Sequence, residues 1–278
     1  MLSFSVVLDS CVIYPMPLCD TLFRAAEAEL YQIHFSQEIL EGATRNLVKN
    51  GKMTDAKAVR FQEMLKMHFP EAMVEVPEQL VASMTNDPGD YHVVAAAIVA
   101  KAKVIVTANL DDFPAEALKP WDIEAWHPDN FLVYLNDQFP GKMIEVIRQQ
   151  SEALKNPPLT VAELLDKLEK NNVINFAASI RFHEYSDVIV QIAKTTLKSK
   201  FARIAPEGGR YLEGEQYRLW QNRKILTITA KDNRGEILRV ENGKIQGSIL
   251  SKDIKAFQRL EQSFEQELEQ AKTEKSQT

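Results

Sequence analysis

The feature that most constrains the fold of this chain is an apolar run without polar alternation, Val104-Ile105-Val106-Thr107-Ala108. Such a run is typical of a central strand in a parallel sheet that is covered on both faces. Residues 4–9 contain a second short apolar run, which ends in Asp9. Turn-prone residues follow both runs, so we expect two buried strands that each bring polar side chains to one edge of a sheet.

Between the strand candidates, apolar residues recur at the spacing of α-helices. Helices are predicted over residues 20–30, 36–50, 54–69 and 91–100, with further helices near 129–138, 141–154 and 160–171. Additional short strands are predicted over residues 31–35, 73–76 and 123–126. Strands that alternate with helices at this spacing predict an α/β sandwich.

The composition indicates a soluble globular protein. Of the 278 residues, 45% are hydrophobic and 26% are charged, which is ordinary for such proteins. No apolar run approaches the roughly 20 residues that span a bilayer, and the N-terminus lacks the pattern of a secretory signal. Cys11 and Cys19 are too few for a disulfide framework or a cysteine zinc site. We therefore expect a cytoplasmic protein without membrane association.

Charge divides the chain into two parts. Residues 1–180 hold 15 Lys and Arg against 25 Asp and Glu, a net charge of −10, whereas residues 181–278 have a net charge of +4. This change of sign predicts a domain boundary after about Ile180. Beyond it the pattern becomes that of β-strands, with a hairpin turn at Asn242-Gly243 and a final helix that begins at Ser251. Residues 181–278 are predicted to be a small basic α+β accessory domain, a β-meander with a helix.

Acidic residues occur at four comparable places in the predicted sheet. They are Asp9 after the first strand, Glu38 or Glu41 on an early helix, Asp87 and Asp90 before the buried helix, and Asp111 or Asp112 after the strand that ends at Ala108. Ligands of open α/β sheets gather at the carboxyl ends of the strands. Carboxylates that converge there repel one another unless a cation neutralises them. Oxygen ligands without Cys or His favour Mg²⁺ or Mn²⁺, and such an ion usually acts on phosphates.

Each acid also has an ordinary structural interpretation. Asp87 is well placed to cap a helix whose first residue is the proline that follows it, and Asp90 then suits the helix dipole. Asp9 could simply end a strand, and Asp111 and Asp112 could be turn residues. The two glutamates could be solvated. Each explanation is credible singly, but all four together are less so.

Four sequence motifs lie in a characteristic order. They are Leu8-Asp9-Ser10-Cys11-Val12-Ile13-Tyr14-Pro15, Ser36-Gln37-Glu38-Ile39-Leu40-Glu41, Asn86-Asp87-Pro88-Gly89-Asp90-Tyr91-His92-Val93-Val94-Ala95-Ala96-Ala97 and Val106-Thr107-Ala108-Asn109-Leu110-Asp111-Asp112-Phe113-Pro114. The combination resembles the PIN-domain family, and within it most closely the bacterial VapC-like ribonuclease toxins. The resemblance covers about residues 1–180, and the order and spacing of the motifs make it specific.

The resemblance implies a three-layer α/β/α fold around a central parallel sheet and metal-dependent hydrolysis of RNA phosphodiesters. It assigns the catalytic acids, which are Asp9, Glu41, Asp90 and Asp112. The three aspartates among them would hold Mg²⁺ or Mn²⁺. Accessory roles fall to Asp87, Thr107, Asn109, Ser10 and Glu38. The implied protein is the toxin of a type II toxin–antitoxin pair, with an RNA substrate and a cognate antitoxin. A homodimer is also expected, for which the apolar face of the last helix is a candidate surface.

Two features of residues 1–180 fit this resemblance less well. Gly42 directly follows Glu41 where a larger residue would continue the helix, and glycine lowers helix stability by up to about 1 kcal/mol. The negative net charge means that RNA phosphates must be attracted by the metals and by a local basic rim, for which Arg45, Lys49 and Lys52 are candidates.

Residues 181–278 carry no such resemblance. Basic and aromatic residues are interleaved there, and Arg218 and Trp220 are candidates for binding RNA phosphates and for stacking on bases. The aromatic residues could equally form a small core while the charges keep the sheet soluble. The alternative function is therefore a weakly active or inactive PIN scaffold that binds RNA or protein through this C-terminal part.

Overall fold

The computed structural model describes residues 4–14, 16–155, 157–199, 201–206 and 208–276, and their side chains except those of Asn46 and of residues 264–276. The chain forms two compact units, unit 1 (Met1–Phe176) and unit 2 (Ala177–Thr278). Within the described residues, no helix combines the length and apolar character that crossing a membrane requires.

A four-stranded parallel sheet forms the centre of unit 1. Its strands are β1 (Ser5–Leu8), β2 (Gln32–His34), β3 (Val104–Val106) and β4 (Glu124–Trp126), in the order β2-β1-β3-β4. All of β3 and most of β1 is buried, which explains why neither strand alternates apolar with polar residues. Leu8 pairs with Val106, so β1 and β3 end side by side.

Helices flank this sheet. In chain order they are α1 (Met16–Glu27), α2 (Gln37–Lys49), α3 (Asp55–His68), α4 (Glu78–Val81), α5 (Tyr91–Val99), α6 (Ala115–Leu118), α7 (Pro128–Gln138), α8 (Pro140–Ala153) and α9 (Val161–Lys170). The apolar helix α5 packs on β1 and β3. Thr54 begins α3 by accepting a hydrogen bond from Lys57 N, as its position in the sequence predicts. The predicted parallel sheet between helices is confirmed.

One predicted strand of unit 1 is wrong. Among the described residues, Met73 forms an isolated parallel bridge with Phe35, and residues 73–76 contain no strand. The segment is short and directly follows the 3-10 turn Pro70–Ala72, so its apolar residues pack without extended pairing.

The β-structure predicted directly beyond Ile180 begins later than expected. Helix α10 (Ile174–Lys198) continues through this position, because Ile189, Ala193 and Leu197 recur at helical spacing and are buried. The predicted boundary thus falls inside a helix, whereas the compact units divide after residue 176. The assignment of separate functions to the two parts remains a prediction.

Unit 2 contains a six-stranded antiparallel meander. Its strands, in both chain and sheet order, are β5 (Arg203–Ile204), β6 (Arg210–Glu213), β7 (Tyr217–Gln221), β8 (Ile225–Ala230), β9 (Gly235–Glu241) and β10 (Lys244–Gly247). Asn242 and Gly243 join β9 to β10 with positive φ at both residues, as this two-residue turn requires. Helix α11 (Ser251–Ser276) follows, which confirms the predicted meander and helix.

One face of this meander is buried. Leu219, Ile228 and Leu238 are paired across β7, β8 and β9 and are at most 2% exposed. They share a core with residues of α10 and with Ile254 and Phe257 of α11. Both helices therefore cover the same face of the sheet.

Candidate active site

Asp9 follows β1 directly and is only 2% exposed. Its main-chain N–H donates to Val106 O at 3.0 Å, which fixes it beside the end of β3. Thr107 Oγ1 donates to Asp9 Oδ2 at 2.7 Å, and Ser10 Oγ donates to Oδ1 at 3.1 Å. Donors on both oxygens hold this carboxyl group in one orientation.

Cys11 is a further partner of Asp9 that sequence reasoning missed. Its thiol donates to Asp9 Oδ2 at 3.0 Å, and its sulfur accepts from Ala108 N at 3.2 Å. Burial, followed by the negative charge of Asp9, raises the pKa of the Cys11 thiol to about 12. The thiol therefore keeps its proton and remains a donor. Its signal in the sequence is its position two residues after a strand-end acid.

Asp87 and Asp90 lie in the turn before α5 and make different interactions. Asp87 Oδ1 accepts from Gly89 N at 2.8 Å and caps the 3-10 turn Pro88–Asp90. Burial, and then the negative charges of Asp9 and Asp112, raise the pKa of Asp90, so its carboxyl group lies near those of the other acids. Because the carboxylate of Asp87 is used to cap the turn, Asp90 is the acid of this turn whose carboxyl group is available to the acidic cluster.

Asp112 brings the loop after β3 to the same place. Its carbonyl oxygen accepts from Asp87 N at 3.2 Å, which ties the two loops together. Burial, and then the negative charges of Asp9, Asp112 and Asp87, raise the pKa of Asp90 from 3.8 to about 6. Aspartates from three separate segments thus lie close enough to interact electrostatically.

Helix α2 approaches this edge of the sheet at Gly42. A Cβ atom on Gly42 would lie 3.1 Å from Ser10 Cβ, closer than side-chain atoms normally pack. The glycine that departs from the expected helix sequence therefore permits the close approach of α2 to the residue after Asp9.

Glu38 and Glu41 point in different directions from α2. Glu38 precedes Gly42 by one turn and shares its face, and its Oε1 lies 4.0 Å from Nδ1 of His92 on α5. Glu41 is exposed and accepts a hydrogen bond from Gln37 Nε2 at 2.8 Å. Glu38 is thus the glutamate directed toward α5, although the resemblance assigns the catalytic role to Glu41.

The remaining predicted residues have more peripheral positions. The main-chain N–H of Asn109 donates to Thr107 Oγ1 at 3.0 Å, the hydroxyl that itself donates to Asp9. Arg45 and Lys49 are exposed on α2. Arg218 and Trp220 belong to β7 of unit 2.

The ligand chemistry of the aspartate cluster fits a hard divalent cation. Its donors are carboxylate oxygens, which suit Mg²⁺ or Mn²⁺, and the raised pKa of Asp90 reports negative charge that a cation would offset. As the side chains stand, no three His, Cys, Asp or Glu residues in the described part of the chain are grouped so as to hold a metal ion. The fit is therefore one of donor type and charge.

Comparison with known families agrees with this architecture. Residues 5–111 match the family model of the PIN domain, and Asp9, Glu41 and Asp90 lie within the matched range. Residues 128–182 match a family model described as the VapC50 C-terminal domain. The resemblance inferred from the sequence motifs is confirmed.

One curated relative extends the comparison. Over 102 residues the chain is 45% identical to a protein of Mycobacterium tuberculosis (strain ATCC 25618 / H37Rv) named "Putative ribonuclease VapC50". The match covers 37% of this chain and 60% of the relative, so it spans less than two thirds of the relative's length.

Proposed function

We propose that this protein is a divalent-metal-dependent endoribonuclease and the toxin of a type II toxin–antitoxin pair. The single observation that carries the proposal is the placement of acids on neighbouring segments of a region that matches the PIN domain. Asp9 N donates to Val106 O at the end of β3, and Asp87 N donates to the carbonyl oxygen of Asp112 in the loop after β3. Clustered carboxyl groups without a cation among them are electrostatically unfavourable. Such an arrangement is expected at a functional site and has little value for stability alone.

The proposed ligands of Mg²⁺ or Mn²⁺ are Asp9, Asp90 and Asp112. A bound ion of this kind lowers the pKa of a coordinated water and stabilises charge on the phosphate. Ser10, Cys11 and Thr107 hold the carboxyl group of Asp9 in place through their hydrogen bonds. They are positioning residues in this proposal.

The second family acid is assigned to α2. Glu41 keeps the catalytic role that the resemblance gives it, with Glu38 as the accessory acid. The exposed Arg45 and Lys49 of the same helix would attract RNA phosphates, which unit 1 needs because its charge is strongly negative. Both assignments place α2 along the path of the substrate.

The toxin role and its partners are supported by the comparisons. The relative from M. tuberculosis carries a ribonuclease name of the VapC type, and residues 128–182 match a domain described after it. A cognate antitoxin is the partner expected for such a toxin. The homodimeric state and the cytoplasmic location remain expectations from the sequence.

The test is cleavage of total RNA by the purified full chain, with Mg²⁺ or with EDTA, followed by sequencing of the new ends. We expect cleavage with Mg²⁺ and none with EDTA. Asp9→Asn should lower the rate by about 100-fold or more, the scale that follows removal of one electrostatic group from a catalytic centre.

Asp137→Asn is the matched control, since Asp137 is an exposed acid of α7 and the substitution removes the same charge. It should cleave at the wild-type rate. Full activity of folded Asp9→Asn, or equal cleavage in EDTA, would overturn the proposal.

A further inference from the structure

The meander of unit 2 has an open face as well as a buried one. Directly paired residues of neighbouring antiparallel strands point to the same side of a sheet. One such row crosses β5 to β9 and consists of Arg203, Tyr211, Trp220, Thr227 and Arg239. The next row, which contains Leu219, Ile228 and Leu238, is buried against the helices. The first row therefore lies on the opposite, open face.

A cleft of about 790 Å³ lies on this open face. The side chains that matter for binding are Phe201, Arg203, Tyr211, Glu213, Arg218 and Trp220. Phe201 is 49% exposed. Clefts of this size accommodate small ligands or one short segment of a polymer, and this one is walled by aromatic rings and arginines.

The charges in the cleft leave one arginine available. Arg218 and Lys231 both pair with Glu213, at 2.6 Å each, so the carboxylate is already neutralised. The side chain of Arg203 has no ion-pair or hydrogen-bond partner among the residues that the structure describes. Residues 181–260 carry a net charge of +7. An anionic ligand therefore suits this face.

The aromatic residues favour flat ligand groups. Tyr211 and Trp220 are direct cross-strand partners, so their rings are neighbours on one surface, and both are only partly buried. Neighbouring aromatic rings flanked by arginines are the arrangement on which unpaired nucleic-acid bases stack.

We infer that the open face of the unit 2 meander binds single-stranded RNA, with bases stacked on Tyr211 and Trp220 and a phosphate on Arg203. Duplex RNA is disfavoured because its bases are not free to stack. An acidic peptide could use the arginines but offers no flat partner for the rings. The inference rests on the proposed function only in taking RNA as the substrate, and it extends that function to a second contact on unit 2.

The test measures RNA binding apart from cleavage. Fluorescence anisotropy of a labelled short single-stranded RNA is followed with the full chain carrying Asp9→Asn, in EDTA. Adding Tyr211→Ala should weaken binding at least about fivefold, whereas Tyr211→Phe should restore it, since stacking needs the ring. Arg203→Ala should weaken binding and reduce the slope of log K against log salt by about 0.7, the value for one phosphate contact on a single strand.

Arg259→Ala is the matched control. Arg259 is an exposed residue of α11, the helix that covers the buried face, and its removal should leave affinity unchanged. Unaltered binding by Arg203→Ala and Tyr211→Ala would overturn the inference. So would equal affinity for duplex RNA, equal competition by polyglutamate, or conversion of a dimer to a monomer by these variants in sedimentation.

The two proposals fail separately in this design. RNA binding that depends on Arg203 and Tyr211 without any cleavage in Mg²⁺ refutes the nuclease and leaves the inference standing. If RNA is cleaved in Mg²⁺ but neither substitution changes binding, the inference is refuted and the nuclease proposal stands. Because Arg203 is exposed, its alanine variant is expected to fold even if Tyr211→Ala does not.

Discussion

Two aspartates at the beginnings of helices have opposite electrostatic environments. Asp90 directly precedes α5 in unit 1, where burial and other acids raise its pKa to about 6. Asp253 lies in the first turn of α11 in unit 2, and its pKa is lowered. Burial acts on both in the same direction, toward a higher pKa. The neighbours therefore decide the outcome.

The neighbours of Asp253 are all hydrogen-bond donors. Arg234 donates from Nη1 and Nη2 at 2.8 and 2.7 Å, Tyr217 Oη donates at 2.6 Å, and Leu250 N donates at 2.8 Å. Together they outweigh the effect of burial on this fully buried carboxylate. Asp253 is thus a structural acid that joins α11 to the meander. The ionised form of Asp90 has acidic neighbours instead, and a proton or a cation would be needed to neutralise its charge.

The largest expected effect is on the stability of unit 2 when Asp253 is replaced. Asp253→Asn should destabilise unit 2 by about 3 kcal/mol, because the buried side chain loses its ion pair with Arg234 and an amide keeps only part of the hydrogen bonds that the carboxylate accepts. Hydrogen exchange resolved by peptide measures this in unit 2 even if the two units unfold separately. Asp232→Asn, which removes an exposed partner of the same Arg234, should change exchange only slightly. Equal protection in the wild type and Asp253→Asn would contradict the structural role.

The second prediction concerns pH and Asp90. A carboxyl group whose pKa rises on folding contributes stability that is complete below its unfolded value of 3.8 and is lost as pH rises through about 6. Without metal, the wild type should lose stability over this window, and Asp90→Asn should not. The difference should stay below about 1 kcal/mol, since solvent screens this half-exposed group. Urea midpoints of both proteins across the pH range check it, and a pH-independent difference would contradict it.

The parallel sheet and its acidic edge could be predicted from local sequence. The burial of Val104–Val106 can be predicted from its composition, because a strand covered on both faces carries apolar side chains on both sides instead of alternating apolar with polar residues. Asp9 and Asp90 could be anticipated because each stands at a strand end or a helix start, and parallel strands bring such positions together. The position of α2 could not be predicted. Its distance from the sheet depends on Gly42 and Ser10, a contact between residues far apart in the chain.

Other features depend on tertiary pairing that a single sequence does not encode locally. Glu38 and Glu41 lie on the same helix but have different contacts, since Glu38 is near His92 of α5 and Glu41 accepts a hydrogen bond from Gln37. Cys11 becomes a partner of Asp9 through the turn that follows β1. The open face of unit 2 follows from the register of Tyr211 against Trp220, which a list of interleaved basic and aromatic residues does not determine.

The smallest predicted effect tests which neighbours of Asp90 matter. Asp112→Asn removes a negative charge that raises the pKa of Asp90, whereas Asp87→Asn removes a charge with a smaller effect on that pKa and preserves the cap. Both variants should lower the pKa of Asp90, and Asp112→Asn should lower it more. Carbon-detected NMR titration of the Asp90 carboxyl group measures the two values in metal-free protein. An unchanged pKa of Asp90 in Asp112→Asn would mean that burial and the charge of Asp9 set it without Asp112, which would contradict the contribution assigned to this neighbour.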